Sequence, residues 1–184
     1  MPLFISGPSC HNTNQYTANE IVSVSKGKKW LDEILPHWGK EFSVEFDLVI
    51  KTLDHFTGSW QNIIHLTVGV DDGLGRRIPA VYLHKSGFLG FYSQINNHET
   101  FLPKGGEFYI ELNKNYSIRI AQQNVSGKFI YSVTINGKIL FSVENEKPTN
   151  FEEVFVYTSN PWDETFGPSG TLSNLKIQNY GNSP

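Results

Sequence analysis

The sequence predicts an all-β protein, a sandwich or a barrel, on three observations. Apolar residues alternate with polar ones over many short stretches, the period-2 signature of strands with one buried face. Aromatic residues make up 14% of the chain, alongside 16 glycines, a mix that suits strands joined by tight turns. Helical patterning is confined to Lys29 to Leu35, one or two turns that Pro36 would stop.

The elements follow in order. Ile21 to Ser25 reads as an early edge strand. Glu41 to Ile50 alternates almost perfectly, with Phe42, Val44, Phe46, Leu48 and Ile50 on one face. Ser43, Glu45, Asp47 and Val49 make the other. Trp60 to Val68 places Ile64, Leu66 and Val68 together. Ile78 to His84 is a strand that Pro79 keeps near an edge or a start. Gly87 to Ile95, Glu107 to Leu112, Tyr116 to Gln123 and Lys128 to Ile135 come next. Lys138 to Val143, Phe151 to Thr158 and Thr171 to Ile177 complete the set. Asn136-Gly137 between two apolar runs is a strong hairpin signal, because a type I′ turn needs positive φ at both central positions. Ser126-Gly127 marks the hairpin before it. Asp71 to Gly75 and Pro103 to Gly106 read as longer loops.

At 184 residues and 20.9 kDa the chain is expected to form one domain, residues 1–184, with a core over about 20–178. Fifteen basic against eighteen acidic residues, a net charge of -3, give no cationic field for nucleic acid. There is no apolar run long enough for a membrane span. One cysteine, Cys10, rules out an internal disulfide and a cysteine zinc finger and leaves a free thiol or a link between two chains. No signal peptide is visible at the start. Asn115-Tyr116-Ser117 and Asn124-Val125-Ser126 are two glycosylation sequons.

The C-terminal half carries a recognisable grammar. Ile118-Arg119-Ile120-Ala121-Gln122-Gln123 precedes an aromatic strand and Asn136-Gly137-Lys138; Asn145, Pro148 and Phe151 follow. Val154 to Trp162 leads into the closing Gly170-Thr171-Leu172-Ser173-Asn174-Leu175-Lys176-Ile177. Over about residues 40 to 178 this resembles the concanavalin A-like group, which holds laminin-G-like modules, galectins, pentraxins and other animal lectins. More narrowly it resembles secreted invertebrate lectins that bind galactose. The resemblance implies a two-sheet antiparallel jelly-roll sandwich in which the last strand returns beside the first. It also implies a secreted or extracellular lectin that binds a glycan, galactose-type, with calcium as the candidate ion. The cytosol is the alternative compartment, and a homodimer or higher homo-oligomer the expected assembly. The galectin sugar site does not transfer: His65-Leu66-Thr67 lacks the asparagine and arginine of the galectin strand pair.

Enzymatic chemistry finds little support, and the chain is expected not to be an enzyme. Glycosidases of this fold carry E-x-D-x-x-E on one strand. Here Glu45 and Asp47 are present, but Ile50 stands where the second catalytic carboxylate belongs. The six histidines, at 11, 37, 55, 65, 84 and 98, include no i, i+4 pair and no H-E-x-x-H. There is no G-x-S-x-G and no phosphate loop.

Sugar recognition instead needs an aromatic face for the C–H side of the ring and planar polar groups for the hydroxyls. Trp162 is the expected stacking residue, since Asn160-Pro161-Trp162-Asp163-Glu164 has no alternation that would bury it. Asn160, Asp163, Asn96 and Asn97 are the expected hydrogen-bonding partners. Asp71 and Asp72 are the expected calcium ligands, because calcium takes carboxylate and carbonyl oxygens. Trp38 and Tyr92 are lesser stacking candidates, and Trp30 and Trp60 are expected in or over the core. The alternative function is a laminin-G-like adhesion or protein-interaction module using a sheet edge or the aromatic run Phe88 to Tyr92.

Overall fold

The computed structural model describes residues 14–18, 22–23, 28–29, 34–54, 56, 58–70, 72–101, 107–158 and 168–180. Fifteen strands occupy them. They are β1 (Asn14–Ala18), β2 (Val22–Ser23), β3 (Lys28–Lys29), β4 (Leu35–Trp38) and β5 (Phe42–Thr52), then β6 (Trp60–Thr67), β7 (Ala80–His84), β8 (Phe88–Ile95), β9 (His98–Phe101) and β10 (Phe108–Tyr109). β11 (Asn115–Val125), β12 (Lys128–Ile135), β13 (Lys138–Glu144), β14 (Phe151–Thr158) and β15 (Ser169–Asn179) complete the chain. No helix long and apolar enough to cross a membrane occurs among the described residues.

Two antiparallel sheets form the expected jelly-roll sandwich. One runs β1-β15-β5-β11-β12-β13, with β2 beside β15. The other runs β10-β8-β7-β6-β14-β3, with β4 beside β14 and β9 beside β8. The alternation read in β5 decides which side of the first sheet faces in: Phe42, Val44, Phe46, Leu48 and Ile50 are all buried. Tyr116, Ile118 and Ile120 of β11, Tyr131 and Val133 of β12 and Leu172, Leu175 and Ile177 of β15 join them. Opposite stand Leu66, Val81, Leu83, Leu89, Phe91 and Val156 of the second sheet. Removing this apolar area from water is the main force holding the layers together.

The last strand lies between β1 and β5, so it returns beside the first strand as the resemblance implies. Two residues of its motif have visible jobs. A Cβ on Gly170 would stand 2.5 Å from the Val49 carbonyl oxygen, so only glycine lets β15 approach β5 there. Asn174 sits at φ 52 in an irregular stretch between Ser173 and Lys176 and donates from Nδ2 to Asp47 Oδ2 at 2.7 Å.

Asn136-Gly137 forms the predicted turn, with φ of 50 and 76. Asn96 and Asn97, at φ 53 and 63, form a turn of the same kind that brings His98 opposite Ile95. That hairpin and its strand β9 were not expected. The predicted strand Glu107 to Leu112 is cut to Phe108–Tyr109. Beyond it the chain leaves the sheet, and Asn113 N–H donates to the Ile50 carbonyl of the other sheet at 2.7 Å. The expected helix is not seen in the described part of its span: Lys29 and Leu35 lie in strands, and 30–33 fall outside the described residues. Pro36 is tolerated because, among the described residues, β4 pairs with β14 alone, and that ladder skips the Pro36–Glu153 position.

Candidate functional site

The outer positions of β6, β7 and β8 carry rings. Directly opposed residues on antiparallel strands share a face. Trp60 pairs with His84, Asn62 with Tyr82 and His65 with Ala80; Tyr82 pairs with Gly90 and Ala80 with Tyr92. Trp60, Tyr82, His84, Phe88 and Tyr92 therefore gather on the solvent side of the second sheet, each partly buried.

Their contacts interlock. Trp60 meets Phe88 at 4.7 Å, His84 at 4.8 Å and Tyr92 at 6.2 Å, all near edge-on. Tyr82 meets Tyr92 at 4.9 Å, and His84 stacks on Phe88 at 5.0 Å. Gly90 makes the close packing possible: a Cβ there would lie 2.9 Å from the Tyr92 ring and 3.1 Å from Trp60. Phe88 also touches Tyr109 at 5.8 Å, and Tyr109 is 63% exposed.

Polar groups enter this face from two places. The β6–β7 loop folds back, held by Leu66 N–H to the Pro79 carbonyl at 2.9 Å and Ile78 N–H to the Leu66 carbonyl at 2.9 Å. Arg77 thereby sits 5.5 Å from the Tyr82 centroid and 5.7 Å from that of Tyr92, and its Nε donates to the Tyr82 hydroxyl at 2.9 Å. From the sheet itself comes Asn62. It is 2% exposed, and its Oδ1 meets no hydrogen-bond donor among the described residues. An unsatisfied buried carbonyl costs about 1–3 kcal/mol, and such groups in folded proteins call for a reason.

His65 lies in the same row, fully buried. Its Nε2 lies 2.6 Å from the Arg76 carbonyl, which only accepts, so Nε2 carries the proton and Nδ1 the lone pair. Burial holds the imidazole down to about 4, with Arg77 and Arg76 adding to the effect and the carbonyl bond opposing it. His65 is therefore neutral at pH 7. The Tyr92 hydroxyl is pushed up, chiefly by burial and next by Tyr82, against the pull of Arg77.

The residues singled out from sequence are distributed differently. Trp162, Asn160, Asp163 and Asp71 lie outside the described residues. Asp72 is exposed, and its Oδ1 accepts from Gly73 N–H at 3.0 Å. Asn96 spends its side chain on structure. Its Oδ1 accepts from Glu146 N–H at 2.6 Å, and its N–H donates to Asn145 Oδ1 at 2.9 Å. Asn97 is exposed beside it. This turn is four residues beyond Tyr92 along β8, roughly 13 Å at strand rise. No group of three or more His, Cys, Asp or Glu side chains that could hold a metal gathers among the described residues.

Two tryptophan expectations are corrected. Trp38 is 1% exposed and packs 4.8 Å from Phe42, because β4 turns it into the end of the core. Trp60, expected in or over the core, belongs to the outer face. The platform had a partial signal in the sequence, the Phe88 to Tyr92 run. Its partners on β6 and β7 become visible only once register sets those strands side by side.

Comparison with known proteins yields no matching protein-family model and no matching curated protein. Solved structures do match. A carbohydrate-binding module (CBM40) of a Ruminococcus gnavus sialidase, bound to α2,3 sialyllactose, superposes with a TM-score of 0.58 at 11% identity, covering 93% of this chain and 94% of that one. The binding domain of botulinum neurotoxin serotype G gives 0.56 at 12% identity, covering 95% of this chain and 45% of that one. Trypanosoma rangeli sialidase gives 0.52 at 14%, covering 77% and 21%. The chain thus spans less than half of the toxin domain and about a fifth of that sialidase. At these identities the likeness establishes the fold alone, a two-sheet antiparallel jelly-roll sandwich.

Proposed function

We propose that this chain is a non-catalytic carbohydrate-binding domain whose ligand lies on the outer face of β6–β8. The observation that carries the reading is the ring platform of Trp60, Tyr82 and Tyr92 with Arg77 beside it. Rings offer a stacking surface for C–H groups, and a guanidinium donates to hydroxyl or carboxylate oxygens. Two fold neighbours lend support, one a module bound to sialyllactose and one a toxin binding domain.

The non-catalytic part has its own support. Glu45 accepts from Arg119 Nε at 3.1 Å and Asp47 from Asn174 at 2.7 Å, so both carboxylates are engaged. Ile50 faces the core at 1% exposure, on the side opposite to these acids. A galactose-type sugar remains the proposed ligand class, since one face of that ring presents a continuous C–H patch to an aromatic side chain. Calcium is proposed at Asp71 and Asp72, with Trp162, Asn160 and Asp163 as a further contact loop. A secreted protein, assembled as a dimer or larger homo-oligomer for avidity, fits the same reading.

A second reading, a protein-interaction module, has one observation in its favour: Ile139 is 70% exposed on β13, the edge strand of its sheet. The test is a glycan array screened with calcium and again with chelator. Selective binding of one terminal sugar supports the lectin reading, and its loss with chelator supports the calcium site. Silence in both conditions overturns the lectin reading in favour of protein interaction.

A further inference from the structure

The ring row does not stop at the platform. From Trp60 it steps 4.7 Å to Phe88 and then 5.8 Å to Tyr109, which stands on β10 at the rim of the second sheet. Past Tyr109 the surface opens into a groove of about 390 Å³, within the range of about 300–1,000 Å³ typical of small-molecule sites. The groove exists because of the chain path. After β10 the backbone crosses towards the first sheet, and the β12–β13 hairpin stands as the facing wall. Phe108 and Tyr116, ring to ring at 5.3 Å, line its base. Lys114 and Glu111, joined at 2.6 Å and both well exposed, stand on one rim. Lys138 and the 70% exposed Ile139 stand on the other.

We infer that this groove is a second saccharide subsite, continuous with the platform, and that the ligand is therefore an oligosaccharide rather than a single sugar. The inference rests on the glycan reading above and adds the length of the ligand to it. Tyr109 presents most of its ring to solvent at the junction of the two surfaces. A sugar stacked on it would have an ammonium and a carboxylate within the same groove to meet its hydroxyls. That pairing of an exposed ring with flanking donors and acceptors is the chemistry of a sugar contact.

The experiment uses the full chain and the strongest array hit, trimmed to its mono-, di-, tri- and tetrasaccharide. Titration calorimetry with the wild type should show affinity rising with length. Tyr109→Ala, a change at an exposed side chain, should lower affinity for the longer forms about tenfold and leave the monosaccharide within about twofold. Ile139→Lys, on the facing wall, should weaken the same long ligands. Equal affinity of wild type and Tyr109→Ala at every length overturns the subsite while leaving the platform reading standing. An equal loss at every length does the same, by placing Tyr109 in the primary site. A wild type that binds no glycan overturns both together.

Discussion

The outer face of the first sheet and that of the second are built by the same alternation and end up chemically opposite. On the first, charges and amides close on one another. Arg119 meets Glu45 at 3.1 Å, Asn174 meets Asp47 at 2.7 Å, and the Ser43 hydroxyl lies 3.5 Å from both Glu45 and Gln178. On the second, partly buried rings pack edge to face around Gly90, with Arg77 over two of them. A strand pattern decides only that one side is buried. What the other side is for depends on whether its groups satisfy each other. The polar face does. The ring face keeps a buried acceptor at Asn62 with no donor among the described residues, at a local cost in stability.

The contrast can be broken most sharply through His65, which belongs to the ring face alone. Its unfolded value is 6.5 and its folded value about 4, so the unfolded chain binds the proton first as pH falls. Stability from this group is fully present above pH 6.5, declines between 6.5 and about 4, and is flat below. The whole interval is worth about 3 kcal/mol. Urea unfolding at pH 7.0 and 4.5 should show most of this loss, and His65→Gln should flatten the difference. A wild-type midpoint insensitive to pH over that interval would contradict the burial described for His65.

Trp60→Ala comes next. It removes the ring that touches Phe88, His84 and Tyr92 and should weaken glycan binding by about 2 kcal/mol, a roughly 30-fold change by calorimetry. Trp60→Phe should recover part of it, which separates stacking from misfolding. Asn62→Leu sharpens the comparison beneath the rings. With the orphaned carbonyl gone, thermal unfolding should show a gain of about 1 kcal/mol. A loss of stability instead would mean that the Asn62 amide serves the fold. The smallest effect belongs to the opposite face. Glu45→Ala breaks an ion pair whose partners are 36% and 34% exposed, so stability should change by no more than about 0.5 kcal/mol. Glycan binding should stay where it was.

Much of the fold was legible because alternation and turn chemistry are local. β5, β6, β8, β11, β12, β13 and β14 fall within two or three residues of their expected bounds, and Asn136-Gly137 turns where positive φ was required. β9 was hidden because Asn96-Asn97 reads equally as a polar loop. The strand after Glu107 was overestimated because nothing local says when a chain will cross to the other sheet. The candidate site was less legible for the same reason. Trp60, Tyr82 and Tyr92 are separated by 22 and 10 positions in the chain, and neither hydrophobic pattern nor motif joins them.

The sequence by itself therefore determined the class of the protein: strands with one apolar face, tight Asn-Gly turns and a closing strand after Gly170. Period-2 side-chain direction is a property of each strand alone, so it survives reading one segment at a time. Only the tertiary structure decided that Trp38 goes inward and Trp60 outward, that Arg77 is carried back over Tyr82 and Tyr92, and that Tyr109 continues the ring row into a groove. Those outcomes depend on register between strands far apart in the chain, and a shift of one residue would send every ring to the other face.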